Sequence, residues 1–363
     1  MLNPLFREVD AKLLDAGQLQ VGGIHRILVL RPNHRLGNLI LITPLLTELE
    51  QAFPGAEIDV LTAGGAARDV LAGFPTVRRI LALPQYIARH PLSALKTIWS
   101  LHGARYDLAV SPATDSYSSR VLVYLAKARN LIGIPPSDSS GRTNWNRILP
   151  TAPEHFAKKP VFMLRHALVS TPGADMPPYP PLNVRLTESE QTEGRQALDA
   201  VLAERSVAPG RMVIGVFADA SGAKRFDTEW WRLFLNTLAE DHPDYTFMEL
   251  IPVDGQSRLE NRFPSFFSRS IRRFASLAAN LDCVVCADGG IMHLASASGV
   301  PTVGLFSVTD PLKYAPYGHN DQAYDTRGKS PEQIARGVGE IVETIAGARS
   351  GYADPSRPGI GAE

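Results

Sequence analysis

Hydrophobic positions along the chain form short clustered runs separated by segments of helical spacing. Residues 24–31 (IHRILVLR) read as a strand, and 36–53 keep helical spacing up to Pro54-Gly55. A second strand is predicted over 56–62, then Gly64-Gly65 and a short helix to Gly73. Strands at 79–83, 107–111 and 131–134 alternate with helices at 91–102 and 116–128. Such alternation predicts βαβ units, a mainly parallel sheet and right-handed crossovers.

Two stretches interrupt the pattern. Residues 136–160, rich in Ser, Pro, Asn and Lys, read as a long loop, with one more helix at 159–170. Residues 171–183 (TPGADMPPYPPLN) contain five prolines, which stiffen a chain and cannot donate to a ladder, so a linker is expected there. The alternation then restarts. Helices are predicted at 188–204, 228–240, 268–280, 290–299 and 331–348, and strands at 212–217, 245–251, 282–287 and 302–306. The expected organisation is a domain over 1–175, a linker over 171–184, a second domain over 185–350 and a flexible tail over 351–363. Ligands are expected at the carboxyl ends of the strands. The first 20 residues carry Leu2, Leu5, Phe6, Leu13, Leu14 and Leu19 and read as an amphipathic helix packed on the body. They lack the basic excess of a membrane-surface helix.

Composition narrows the function. A chain of 363 residues suits two domains. Lys plus Arg and Asp plus Glu both total 37, a balance that argues against nucleic acid as a partner. Two cysteines exclude a disulfide framework. No apolar run approaches the ~18 residues of a membrane span, and the mixed charges of the first 20 residues are unlike a secretory signal. A cytoplasmic protein is expected.

Three segments carry candidate chemistry. Arg31-Pro-Asn-His34-Arg35-Leu-Gly37-Asn38 ends the first strand and opens the first helix. A glycine beside a helix N-terminus, with three basic side chains, suits a phosphate or an anionic polyhydroxyl compound; a plain strand–helix turn fits equally. Asp288-Gly289-Gly290-Ile-Met-His293 follows a strand and opens a helix, where bare backbone N–H groups can receive a diphosphate. Asp288 is a cap or a sugar ligand. Ser221-Gly222-Ala-Lys224 follows the first strand of the second half, where lysine presents a compact charge to phosphate.

Other features point to structure. Cys283 and Cys286 lie in an apolar strand and read as buried. No zinc site is expected, and no Asp-x-Asp is present to bridge a metal to a diphosphate. Trp230 and Trp231 read as core residues, and the mildly basic helix near 89–105 as a solvated face.

Together these segments resemble glycosyltransferase family 9, the lipopolysaccharide heptosyltransferases. The resemblance rests on Arg31, Gly37-Asn38 and Thr43-Pro44 at one end. At the other it rests on Asp288 through Pro301, Thr309-Asp310-Pro311 and Tyr314-Ala-Pro-Tyr-Gly318. It implies a GT-B fold, with two Rossmann-like doubly wound domains facing across a cleft. The acceptor would lie on the first domain, at Arg31, Arg35 and Gly37. A nucleotide sugar such as ADP-heptose would lie on the second, at Ser221, Lys224, Asp288, Gly289, Gly290 and His293. It implies inverting transfer without metal or cofactor, to a lipid-linked saccharide at the inner face of the cytoplasmic membrane. Where the family's Gly-Asp supplies the general base, this chain has Asn38, and an amide cannot take a proton. Either Asn38 orients the acceptor while His34, Asp115 or Asp219 serves as base, or leaving-group stabilisation carries the reaction, or the protein binds without transfer. The family's acid in the second domain has Asp254 and Glu260 as candidates.

Overall fold

A computed structural model describes residues 12–84, 89–112, 117–133, 143–169, 176–208 and 210–352. The chain divides into two units, Met1–Arg185 and Leu186–Glu363.

In the first unit, β1 (Arg26–Arg31), β2 (Glu57–Ala63), β3 (Val77–Leu83), β4 (Leu108–Ser111) and β5 (Asn130–Gly133) form one parallel sheet in the order β3-β2-β1-β4-β5. The apolar run of β1 is buried throughout its centre, as expected of a strand covered on both faces. The helices are α1 (Leu36–Ile40), α2 (Thr43–Ala52), α3 (Ala67–Leu71), α4 (Pro91–Gly103), α5 (Tyr117–Ala126), α6 (Thr143–Ile148) and α7 (Lys158–Leu168).

The single helix expected over 36–53 is two helices. Pro44 lies in the first turn of α2, where its missing N–H is tolerated and where it cannot continue a preceding helix. Residues 13–20, expected to be helical, are not. Leu13 forms a parallel bridge with Leu131, and the Leu14 N–H donates to the Leu131 carbonyl. Residues 1–11 of that segment lie outside the described residues. Asp15 then accepts from the backbone N–H groups of Trp145 (2.9 Å) and Asn144 (3.2 Å), holding the start of α6 inside the stretch read as a loop.

Residues 176–184 pack on the first unit. The Arg165 guanidinium donates to the carbonyls of Pro177 and Pro178 while paired with Glu48 at 2.6 Å, and both partners are buried. Arg185 continues this docking through Glu50 and the ring of Phe74.

The second unit begins with α8 (Glu188–Glu204), opened by a reciprocal capping box between Thr187 and Glu190. There follow β6 (Met212–Phe217), α9 (Thr228–Asp241), β7 (Tyr245–Ile251), β8 (Ser265–Phe267), α10 (Ile271–Ala278), β9 (Cys283–Ala287), α11 (Gly290–Ser298), β10 (Thr302–Phe306), α12 (Pro311–Tyr314), β11 (Gln322–Asp325) and α13 (Pro331–Tyr352). The short elements β8, α12 and β11 have no clear periodicity and were not anticipated. The sheet order is β11-β10-β9-β6-β7-β8, all parallel. Gly194 lets α8 lie directly on α10, because a Cβ there would stand 2.1 Å from the Ser276 carbonyl oxygen. Cys283 and Cys286 are buried free thiols, and burial raises the Cys286 thiol well above its usual range. Trp231 is core, and Trp230 packs at its margin.

Both sheets are doubly wound. Strand order reverses between β1 and β4 in the first unit and between β6 and β9 in the second, and such switch points open crevices at the strands' carboxyl ends. Among the described residues, no helix is long and apolar enough to cross a membrane.

Candidate functional site

The second unit's switch point is bridged by a single ion pair. Lys224 leaves the short turn after β6 and Asp288 directly follows β9; Nζ and Oδ2 are 2.6 Å apart. Asp288 is only 3 % exposed. Thr309, from the loop after β10, donates its hydroxyl to the same carboxylate oxygen. The Lys224 ammonium also lies 5.8 Å from the centroid of the Tyr314 ring. Three adjacent strand ends thus converge on one carboxylate.

Asp288 therefore does not cap α11. The N-cap is Gly289, which offers no side-chain acceptor, so the opening N–H groups of this helix face outward uncapped by a side chain. Gly289 is fully extended, a conformation open to any residue. Its significance is space: a Cβ there would meet only the Ala287 carbonyl, at 3.8 Å. A ligand can approach this backbone closely, beside a positive helix end and a lysine. Ser221 is exposed one turn before Lys224, and Gly222 has φ +64°. His293 lies in the first turn of α11 and is 3 % exposed.

A second charged cluster lies on the same edge. Asp219, just past β6, is held by Arg225 at 2.7 Å and by Arg258 at 3.3 Å. Arg258 also binds Asp254, and this pairing holds the Asp254 carboxyl below its usual range. Buried Glu249 accepts from the Ser257 hydroxyl and from the N–H groups of Arg258 and Leu259, fixing that loop. Asp219 is thus engaged by two guanidinium groups, which leaves it poorly placed as a base. Glu260 is exposed, and Asp115 lies outside the described residues.

In the first unit, the loop after β1 is closed internally. Asn33 Oδ1 accepts from the Arg35 N–H at 2.8 Å, and Arg31 Nε donates to the Asn38 carbonyl at 3.2 Å. His34 and Arg35 are exposed, Asn38 is half-buried and Gly37 is buried. The loop brings Arg31 and Asn38 together and leaves the side chains of His34 and Arg35 toward solvent.

Sequence reasoning did not assign roles to Thr309, Tyr314 or Arg258. Thr309 and Arg258 were reachable, because each follows a strand whose carboxyl end lies on this edge. Among the described residues, no group of three or more His, Cys, Asp or Glu side chains could hold a metal ion.

Comparison with known proteins bears on this edge directly. The sequence model of glycosyltransferase family 9 (heptosyltransferase) matches residues 266–337, which include Asp288, Gly289 and Thr309. The lipopolysaccharide core heptosyltransferase OpsX of Haemophilus influenzae is 33% identical over 52 residues. That match spans 14% of this chain and 15% of the relative's length. A glycosyl transferase family 9 structure from Veillonella parvula superposes with a TM-score of 0.68 at 14% identity, covering 91% of this chain and 98% of that one. The E. coli ADP-heptose LPS heptosyltransferase II and the E. coli heptosyltransferase WaaC with ADP each give 0.62 at 18% identity, over 88% of this chain and 99% of theirs. The likeness in structure establishes the fold: two parallel α/β units of the GT-B kind. The resemblance to family 9 drawn from the motifs stands.

Proposed function

We propose that this protein is a glycosyltransferase of the family 9 type, moving a heptose-like sugar from a nucleotide-activated donor to a lipopolysaccharide-core or related acceptor. The observation that carries the reading is the convergence of Lys224, Asp288, Thr309 and the open start of α11 on one switch point. In this reading the donor diphosphate takes the ammonium of Lys224 from Asp288 and accepts from the first N–H groups of α11. Asp288 then turns to a donor hydroxyl. The acceptor hydroxyl attacks the anomeric carbon as the sugar–phosphate bond breaks, inverting that centre; its proton passes to solvent or to a base such as His34, and the diphosphate leaves against fixed positive charge. A lysine and helix dipoles do here what a divalent ion does elsewhere, so no metal is required. The E. coli ADP-heptose LPS heptosyltransferase II named above supports ADP-heptose as the first donor to test.

The acceptor loop is assigned to Arg31, Arg35 and Gly37, with Asn38 orienting the attacking hydroxyl and His34 an exposed candidate base of that loop. A lipid-linked acceptor would bring the protein to the inner face of the cytoplasmic membrane. Asn38 also favours a second reading. General-base assistance is worth ~10²–10⁴-fold, and the second reading, without a carboxylate here, is a binder of nucleotide sugar or glycan. Incubation with ADP-heptose and truncated core acceptors separates the two. Release of ADP with formation of a heptosylated product supports transfer. Donor binding without turnover for every acceptor would leave the binding reading.

A further inference from the structure

The helix α4 turns an apolar strip to the outside. Its inner face is already committed: Ala94 and Leu101 are buried, Thr97 Oγ1 donates to the Ala82 carbonyl on β3, and His102 Nδ1 lies 3.2 Å from the Leu125 carbonyl on α5. Leu92, Leu95 and Trp99 are nevertheless 81%, 60% and 80% exposed. At about 100° per residue these three fall within roughly a 60° arc, so they form one stripe and not scattered exceptions. The solvated polar face expected of this segment is absent at the stripe.

The surroundings are cationic. Lys96 is exposed one turn from Leu92; Arg89 and His90 precede the helix, while His102 and Arg105 flank its end, all exposed. No Asp or Glu occurs anywhere between Asp69 and Asp107. A tryptophan and two leucines with Arg89, Lys96 and Arg105 along the same segment match an anionic bilayer surface, where the ring and aliphatic groups enter the headgroup boundary and the basic side chains meet lipid phosphates.

We propose that α4 docks the protein on anionic phospholipid through Leu92, Leu95 and Trp99, with Lys96 beside them. The docking deepens the transferase reading, since a lipid-linked acceptor gives the surface its use, yet its test needs no turnover. The full chain is sedimented with vesicles of equal parts phosphatidylethanolamine and phosphatidylglycerol, and with phosphatidylcholine vesicles as the neutral control. Binding is expected to the anionic vesicles, weakened by salt. Leu95→Ser with Trp99→Ser should lower it by on the order of tenfold or more, with the thermal midpoint unchanged because both side chains are exposed. Brominated lipid should quench tryptophan emission in the parent and much less in Trp99→Leu. Failure to bind anionic vesicles, equal binding by the double variant, or self-association through this face without vesicle binding would each overturn the proposal. The double variant should still act on a soluble, delipidated acceptor. Vesicle binding without any transferase activity would refute the catalytic reading while leaving the docking intact.

Discussion

The Lys224 ammonium stands 2.6 Å from the Asp288 carboxylate, across the point where the second sheet reverses its strand order. In this state the lysine that would serve a diphosphate is held by a buried acid. Donor binding is therefore an exchange of anions at one cation, and each partner can be removed separately.

Lys224→Ala should lower donor-dependent turnover by about 10²–10³-fold, the scale of losing one preorganised charge at a leaving group. It should also lower stability, because Asp288 keeps only Thr309 as a described partner. ADP release and calorimetric titration with ADP measure the first effect, and urea unfolding the second. Turnover equal to that of the parent would remove Lys224 from the donor site.

Asn38→Asp restores a carboxylate at the position where the family resemblance places the base. Activity should be retained or increased, by up to ~10²–10⁴-fold if proton removal limits the rate. The pH profile of kcat/KM should then gain an acidic limb from the new group. Complete loss of activity would show that the amide has chemistry of its own, such as donating to the acceptor.

Burial raises the Asp321 carboxyl to about 6, against the opposing effect of hydrogen bonds from the Ser296 hydroxyl and the Thr302 and Gly318 N–H groups. The folded state thus holds this proton more tightly than the unfolded chain does. Its contribution to stability is complete below about pH 4 and is lost as pH rises through about 6, a swing of about 3 kcal/mol. Asp321→Asn cannot ionise, so the difference in unfolding free energy between the two proteins should change over that window. A constant difference from acid to neutral pH would contradict the assignment.

The buried pair Glu48–Arg165 ties α2 and α7 to the proline-rich segment. Glu48→Ala leaves a buried guanidinium uncompensated and should lower stability by roughly 3–5 kcal/mol. Limited proteolysis should then cut first near 171–184. Unchanged unfolding and cleavage would show that the pair does not secure this segment.

Most strands and long helices were legible in the sequence, because burial on one or both faces imposes a period that a single segment reveals. The elements β6, β7, β10 and α8 fall where that period places them. Strand-end motifs were legible for a related reason: a parallel sheet collects all its carboxyl ends on one edge, so Lys224 and Asp288 had to share it. Contacts between distant segments had no such signature. The α6 helix depends on Asp15, 130 positions away from Trp145, and no local pattern announces that hydrogen bond. The extended path of Leu13 and Leu14 likewise depends on Leu131. For α4, periodicity established a helix but not which face turns outward. That was decided when Ala94, Leu101 and Thr97 took the inner contacts and left Leu92, Leu95 and Trp99 outside. Local hydrophobic order determined the elements of this protein. Only packing decided which charges meet and which apolar side chains remain exposed, because those outcomes depend on neighbours that the chain order does not place side by side.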